Sequence, residues 1–222
     1  MKTFVKARIS GFECLISQPE VRFDLRVLLV LHRRGTSPEY LREITGVFGD
    51  RYLQVLPCAP HRHRSGFEWF GDGQSGPAQI AESTLKLVGL LHRLQSELSI
   101  GSKQVGVLGF SQGGVMAMEV GLAAPAPLAI TVCIGGKLTP MSERPPQLLG
   151  RARGRRFFLV HTMLDEVVPY ELSREALVVL REHGAHVQLS AHPKRSISSP
   201  RVSGDPTDGT GIFGERQRIA QA

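Results

Sequence analysis

The run Gln104-Val105-Gly106-Val107-Leu108-Gly109-Phe110-Ser111-Gln112-Gly113-Gly114-Val115 holds a serine placed to do chemistry. An apolar stretch rich in Val and Leu reaches Gly109. Ser111 and Gly113 follow at alternate positions, and helix-forming residues continue to Val120. Strand, sharp turn and helix in that order are the setting of a G-x-S-x-G nucleophile elbow. Side chains flanking the turn would collide, which accounts for both glycines. Ser111 then stands at the tip, at a helix N-terminus that favours nearby negative charge. A Gly-rich turn with a capping serine is the plainer account of the same residues. Two other glycine motifs fail. Gly109 and Gly114 have P-loop spacing, but Val115-Met116 stands where Lys-Ser/Thr is required. No G-x-G-x-x-G follows this strand.

A serine hydroxyl is a poor nucleophile alone. It needs a histidine to take its proton and a carboxylate to orient that histidine. Behind an elbow of this kind the chain order is serine, acid, histidine. Asp165 is the candidate acid, in His161-Thr162-Met163-Leu164-Asp165-Glu166-Val167-Val168-Pro169, just past an apolar strand; Glu166 is the runner-up. His61 and His63 invite a metal, but no carboxylate or cysteine partner has ligand spacing, so no metal or other cofactor is expected.

The elements that must position these residues alternate between strand and helix. Residues 1–18 read as an entry strand pair, and Arg26–Leu31 as a strand buried on both faces. Ser37-Pro38 can open a helix. Arg51–Pro57 is a further strand, followed by a long loop to about Pro77 that carries Trp69-Phe70. That pair either lines a pocket or covers the core. Residues 78–99 read as a helix with Ile80, Leu85, Val88, Leu91 and Leu94 near one face. Strands follow at 128–134, 156–161 and 186–190, with a polar connection over 137–154 and a helix over 171–183. This is an α/β pattern with a mainly parallel central sheet flanked by helices on both faces. Ligands bind such sheets beyond the carboxyl ends of the strands, where His32–Gly35, Ser111 and Asp165 fall.

The chain has 222 residues, which suits one domain over 1–193 with an irregular tail over 194–222, where breaker residues crowd. No run of about 18 apolar residues occurs, so no stable membrane insertion is expected. The N-terminus lacks a signal core, which points to a cytoplasmic chain. Cys14, Cys58 and Cys133 lie far apart and read as buried thiols. A net charge of +7 raises nucleic acid as a partner. The densest basic run, Arg151–Arg156, is short and without interleaved aromatics, and reads as a solvated loop, so no nucleic acid is expected.

From about residue 24 to 193 the chain resembles the phospholipase/carboxylesterase family of α/β-hydrolases, which includes acyl-protein thioesterases. The pieces that carry the resemblance are Leu31-His32-Arg33-Arg34-Gly35 against the family's L-H-G-x-G, the Trp69-Phe70 pair, Gly109-Phe110-Ser111-Gln112-Gly113-Gly114, and Asp165 with Val167-Val168-Pro169. The resemblance implies a metal-free α/β-hydrolase that cleaves small-molecule carboxylic esters or thioesters through an acyl-enzyme. It assigns Ser111 as nucleophile, Asp165 as triad acid, and the backbone N–H groups of Gln112 and Arg34 as the oxyanion hole. Trp69 and Phe70 are the candidate substrate-binding residues. A homodimer is left open.

Two positions depart from the family pattern. Arg33 stands where the family has Gly, a residue that allows unusual backbone angles and close approach. The family's closing Gly-His falls on Ser196-Ile197, and His192 is the nearest histidine before it. His192 is therefore the candidate base. Similarity and composition both change near Pro193, as a shift of reading frame there would produce. A catalytically impaired hydrolase-like protein is the alternative reading.

Overall fold

The computed structural model describes residues 3–17, 24–46, 48, 52–140 and 146–193. The tail expected from residue 194, and with it Ser196-Ile197, lies outside the described residues.

The entry pair forms as the alternation suggests. β1 (Phe4–Ile9) and β2 (Phe12–Ser17) are an antiparallel hairpin turning at Ser10-Gly11. β3 (Arg26–Leu31), β4 (Tyr52–Pro57), β7 (Val105–Phe110), β8 (Ile130–Ile134), β9 (Arg156–Thr162) and β10 (His186–His192) pair in parallel, with β2 antiparallel against β4. The eight-stranded order is β1-β2-β4-β3-β7-β8-β9-β10. The long loop after β4 contains a small hairpin that short strands hide from periodicity: β5 (His61–His63) against β6 (Gly66–Glu68).

Side chains alternate across the sheet, so each strand feeds two cores. Val27, Leu29 and Leu31 meet Val105, Val107 and the apolar stripe of α2 (Gly76–Leu98) and α3 (Gln112–Ala123). On the same face, Cys133, Phe157 and Leu159 pack with Leu149 of α4 (Pro146–Gly150) and Ala176 and Leu180 of α5 (Tyr170–Glu182). Leu28, Val30, Leu108 and Phe110 point the other way, toward Leu41 of α1 (Leu41–Thr45) and Tyr40 of the preceding 3-10 turn.

Ile80, Leu91 and Leu94 of α2 face the core as expected, but Leu85 does not. Leu85 is 72% exposed, while Ser83, Thr84, Leu87 and Leu90 are buried. Ser83 faces inward because its hydroxyl donates to the Trp69 carbonyl at 2.9 Å, a bond that hydropathy cannot register. Arg155 also departs from the solvated loop. It is buried, and its guanidinium donates to the carbonyls of Arg151 (2.6 Å), Gly121 (2.8 Å), Ala124 (2.7 Å) and Ala126 (3.3 Å). A cation there satisfies the orphan carbonyls at the end of α3 and complements its dipole. All three cysteines are free thiols, two of them buried. Burial pushes the Cys14 and Cys133 thiols up to about 12 and Cys58 to about 11, which leaves them poor nucleophiles. Among the described residues no helix is long and apolar enough to cross a membrane.

Candidate active site

Because β3, β7, β8, β9 and β10 are parallel, their carboxyl ends share one edge of the sheet. The loop 32–36, Ser111, Gly135, Asp165 and His192 all follow or end these strands there. The sharpest feature is the backbone of Ser111, at φ 51° and ψ −116° between β7 and α3. A non-glycine residue in that region is strained and persists only where its surroundings hold it. Its N–H donates to the Ile134 carbonyl at 2.7 Å, and its carbonyl accepts from Gly114 and Val115. The flanking glycines are sterically required. A Cβ on Gly109 would overlap the Gly113 carbonyl, and a Cβ on Gly113 would overlap Leu31 O and stand 2.6 Å from His32 O. The turn is thus pressed against the loop after β3.

That loop is pinned chiefly by His32, which is fully buried. Ala59 N–H donates to His32 Nε2 at 3.0 Å, so the hydrogen sits on Nδ1 and is donated to Arg33 O at 2.8 Å. Burial pushes this imidazole down to about 4, against the opposing pulls of the Arg33 carbonyl and Glu39. Thr36 Oγ1 donates to Arg33 O at 2.8 Å. Phe67 on the β5–β6 hairpin exchanges backbone bonds with Gly35 (2.8 Å) and Thr36 (3.0 Å). Arg33, the departure from the family pattern, does not need a left-handed backbone. The positive φ in the loop falls on Gly35, at 73°. The Arg33 guanidinium sits over the Tyr40 ring, 4.7 Å from its centroid. Arg34 points its side chain outward to Glu68 (2.8 Å) and Asp72 (2.7 Å).

Gln112 connects this loop to the elbow. Its side-chain amide is buried, with Oε1 accepting from Trp69 N–H at 2.8 Å and Nε2 donating to Phe70 O at 2.5 Å. As the first residue of α3, its own N–H has no acceptor within the helix. Trp69 has no exposed surface. Its Nε1–H donates to His32 O at 2.8 Å, and its ring packs near Phe12 and His32. Of the two roles open to it, the indole takes the core-covering one, while Phe70 is half-buried beside it.

Asp165 is half-buried past β9. Its Oδ1 accepts from Val167 N–H and Val168 N–H, both at 2.9 Å, which turns the chain back and fixes the carboxylate. Its Oδ2 lies 3.7 Å from where a Cβ on Gly135 would stand, at the end of β8 beside the elbow strand. Glu166 is exposed. His192 ends β10 opposite Thr162, with its Nε2 3.1 Å from Ser190 Oγ. Its carbonyl accepts from Met163 N–H at 2.8 Å.

The structure therefore brings the 32–35 loop, Ser111, Gln112 and Asp165 to one edge. Among the described residues it joins no imidazole to Ser111 Oγ by a hydrogen bond. His61 and His63 lie on the hairpin, and no cluster of metal-binding side chains occurs among the described residues. A cleft of about 490 Å³ is lined by Phe12, Glu13, Pro38, Arg62 and Phe67, and none of Ser111, Asp165 or His192 borders it. Sequence reasoning missed the Gln112 side chain and the His32 clamp. Both act through partners dozens of residues away, which local spacing does not reveal.

Comparison with known proteins agrees with this fold. A family model described as Phospholipase/Carboxylesterase matches residues 65–203. A probable carboxylesterase of Oryza sativa subsp. japonica is 29% identical over 119 residues, 52% of this chain and 51% of that protein. The chain spans about half the length of this curated relative. A solved carboxylesterase from Mesorhizobium loti has a TM-score of 0.75 over 100% of this chain and 99% of that one, at 16% identity. Esterase PE8 has a TM-score of 0.67, with 25% identity, over 89% and 93% of the two chains. These likenesses show the α/β-hydrolase fold.

Proposed function

This chain belongs to the phospholipase/carboxylesterase family, and on that premise we propose that it hydrolyses carboxylic esters or thioesters through an acyl-enzyme on Ser111. The observation that carries the reading is the strained elbow, with Ser111 at φ 51° between two glycines that admit no Cβ. Ser111 Oγ attacks the substrate carbonyl, and its proton passes to the base. The tetrahedral oxyanion is held by the N–H groups of Gln112 and Arg34, a contribution of about 10²–10³ in rate for each donor. The alcohol or thiol leaves with the proton, and water then releases the acid and restores Ser111. Asp165 orients the protonated base, and Phe70 borders the acyl group beside the buried Trp69. His192 is the base this reading nominates, one strand over from the acid.

Turnover of p-nitrophenyl butyrate that disappears in Ser111→Ala supports the assignment; turnover unchanged in that variant sinks it. The second reading, a hydrolase-like protein without full catalytic power, is favoured by one observation. His192 Nε2 faces Ser190 on its own strand. Loss of the base alone would cost about 10⁴–10⁶ in rate. A wild-type rate within tenfold of Ser111→Ala would favour it.

A further inference from the structure

Behind the candidate acid lies a buried polar pair that none of these steps uses. His161 on β9 is fully buried, and Ser173 in α5 is 2% exposed. The Val168 carbonyl can only accept, so its 2.8 Å contact with His161 Nε2 puts the ring hydrogen on that nitrogen. The other nitrogen, Nδ1, meets Ser173 Oγ at 2.7 Å, and that oxygen also lies 3.3 Å from Gly136 O.

The ring thus ties together three elements. Val168 is the first, and it is the residue that fixes the acid: its N–H donates to Asp165 Oδ1 at 2.9 Å while its carbonyl accepts from His161. Ser173 brings in α5. Gly136 leads back to the nucleophile, because a Cβ there would stand 3.0 Å from Ser111 O. His161 Nε2 is 3.8 Å from Asp165 Oδ2, too far for a hydrogen bond, so the ring acts on the acid through its turn. An imidazole and a hydroxyl are costly fillers for a site that needs only packing, because their polar atoms must be paired.

We propose that His161 and Ser173 are positioning residues that set where the Asp165 carboxylate stands relative to Ser111. This rests on the reading of Ser111 and Asp165 as nucleophile and acid. The test compares His161→Asn, His161→Gln and Ser173→Ala in the full chain. Gln can place an amide nitrogen where Nε2 stands, whereas Asn reaches only the Nδ1 position. Two quantities are measured: amide–water exchange at Val167 and Val168 by NMR, and hydrolysis of p-nitrophenyl butyrate.

His161→Asn is expected to speed exchange at both amides by about tenfold relative to Leu159 and Val160 on the same strand, as loss of one supporting hydrogen bond allows. It should lower kcat by about 10²-fold with little change in KM, the effect of a misplaced group. His161→Gln should recover both, and Ser173→Ala, which removes only a hydroxyl, should shift both in the same direction as His161→Asn. Uniform acceleration along β9, unchanged exchange at Val167 and Val168, or a Gln variant that behaves like Asn overturns the proposal. A wild type without Ser111-dependent turnover counts against the acyl-enzyme alone, because the exchange pattern reads the turn directly.

Discussion

Acid should loosen the loop after β3 through one side chain, His32. The imidazole accepts from Ala59 N–H on Nε2 and donates to Arg33 O from Nδ1. Protonating Nε2 would set two N–H groups against each other inside a buried site. Burial accordingly pushes its pKa from 6.5 down to about 4. A histidine held below its unfolded value binds its proton more readily in the unfolded chain. Its contribution is fully present above pH 6.5 and is lost as pH falls toward 4. At about 1.36 kcal/mol per unit, the 2.5-unit difference is worth about 3 kcal/mol in full. At pH 4.5 the loss comes to about 2.5 kcal/mol. The perturbation is His32→Asn, which never titrates. Urea unfolding of both proteins at pH 7.5, 6.0, 5.0 and 4.5 gives the stability gap between them. Taking the gap cancels the carboxylates common to both. The variant should be less stable at pH 7.5, and the gap should close by about 2.5 kcal/mol by pH 4.5. A gap that stays constant across that range refutes the claim that His32 is held neutral.

Two further substitutions probe the two ends of α3. Gly113→Ala forces a Cβ against Leu31 O and His32 O, so urea unfolding should show a loss of about 1–3 kcal/mol. Its kcat/KM should fall by about 10²–10³, since the Gln112 N–H moves away from that of Arg34; an unchanged rate would argue against the assigned oxyanion hole. Arg155→Met strips the cation from four carbonyls and should cost about 2–4 kcal/mol, whereas exposed Arg153→Met should stay within about 0.5 kcal/mol. Equal effects in the same unfolding experiment would show that Arg155 is solvated after all.

The fold was legible where hydrophobic pattern is the physical cause. Residues 27–31 and Val105–Phe110 are buried on both faces, and continuous apolar runs announce that. The elbow was legible because its spacing is local: Gly109 answers to the Gly113 carbonyl, whereas the reason for Gly113, clearance from Leu31 and His32, lies far away in the chain. What escaped is what side chains do at a distance. Leu85 faces out and Ser83 in because a hydroxyl reaches the Trp69 carbonyl. Arg155 left its basic run to cap α3, a partner some thirty residues earlier in the chain. The β5–β6 hairpin is too short for a periodic signal, yet it holds Gly35 and Thr36 in place. Asp165 was visible as a carboxylate past a strand. The His161–Ser173 brace behind it required α5 to be seen against β9.

The central claim is that Ser111 is an activated nucleophile, and a fluorophosphonate tests it at the atom concerned. Intact-mass analysis followed by peptide mapping should find one adduct per chain, on Ser111, and none in Ser111→Ala. A folded wild-type protein that takes up no label, or carries it on a residue other than Ser111, would contradict the account.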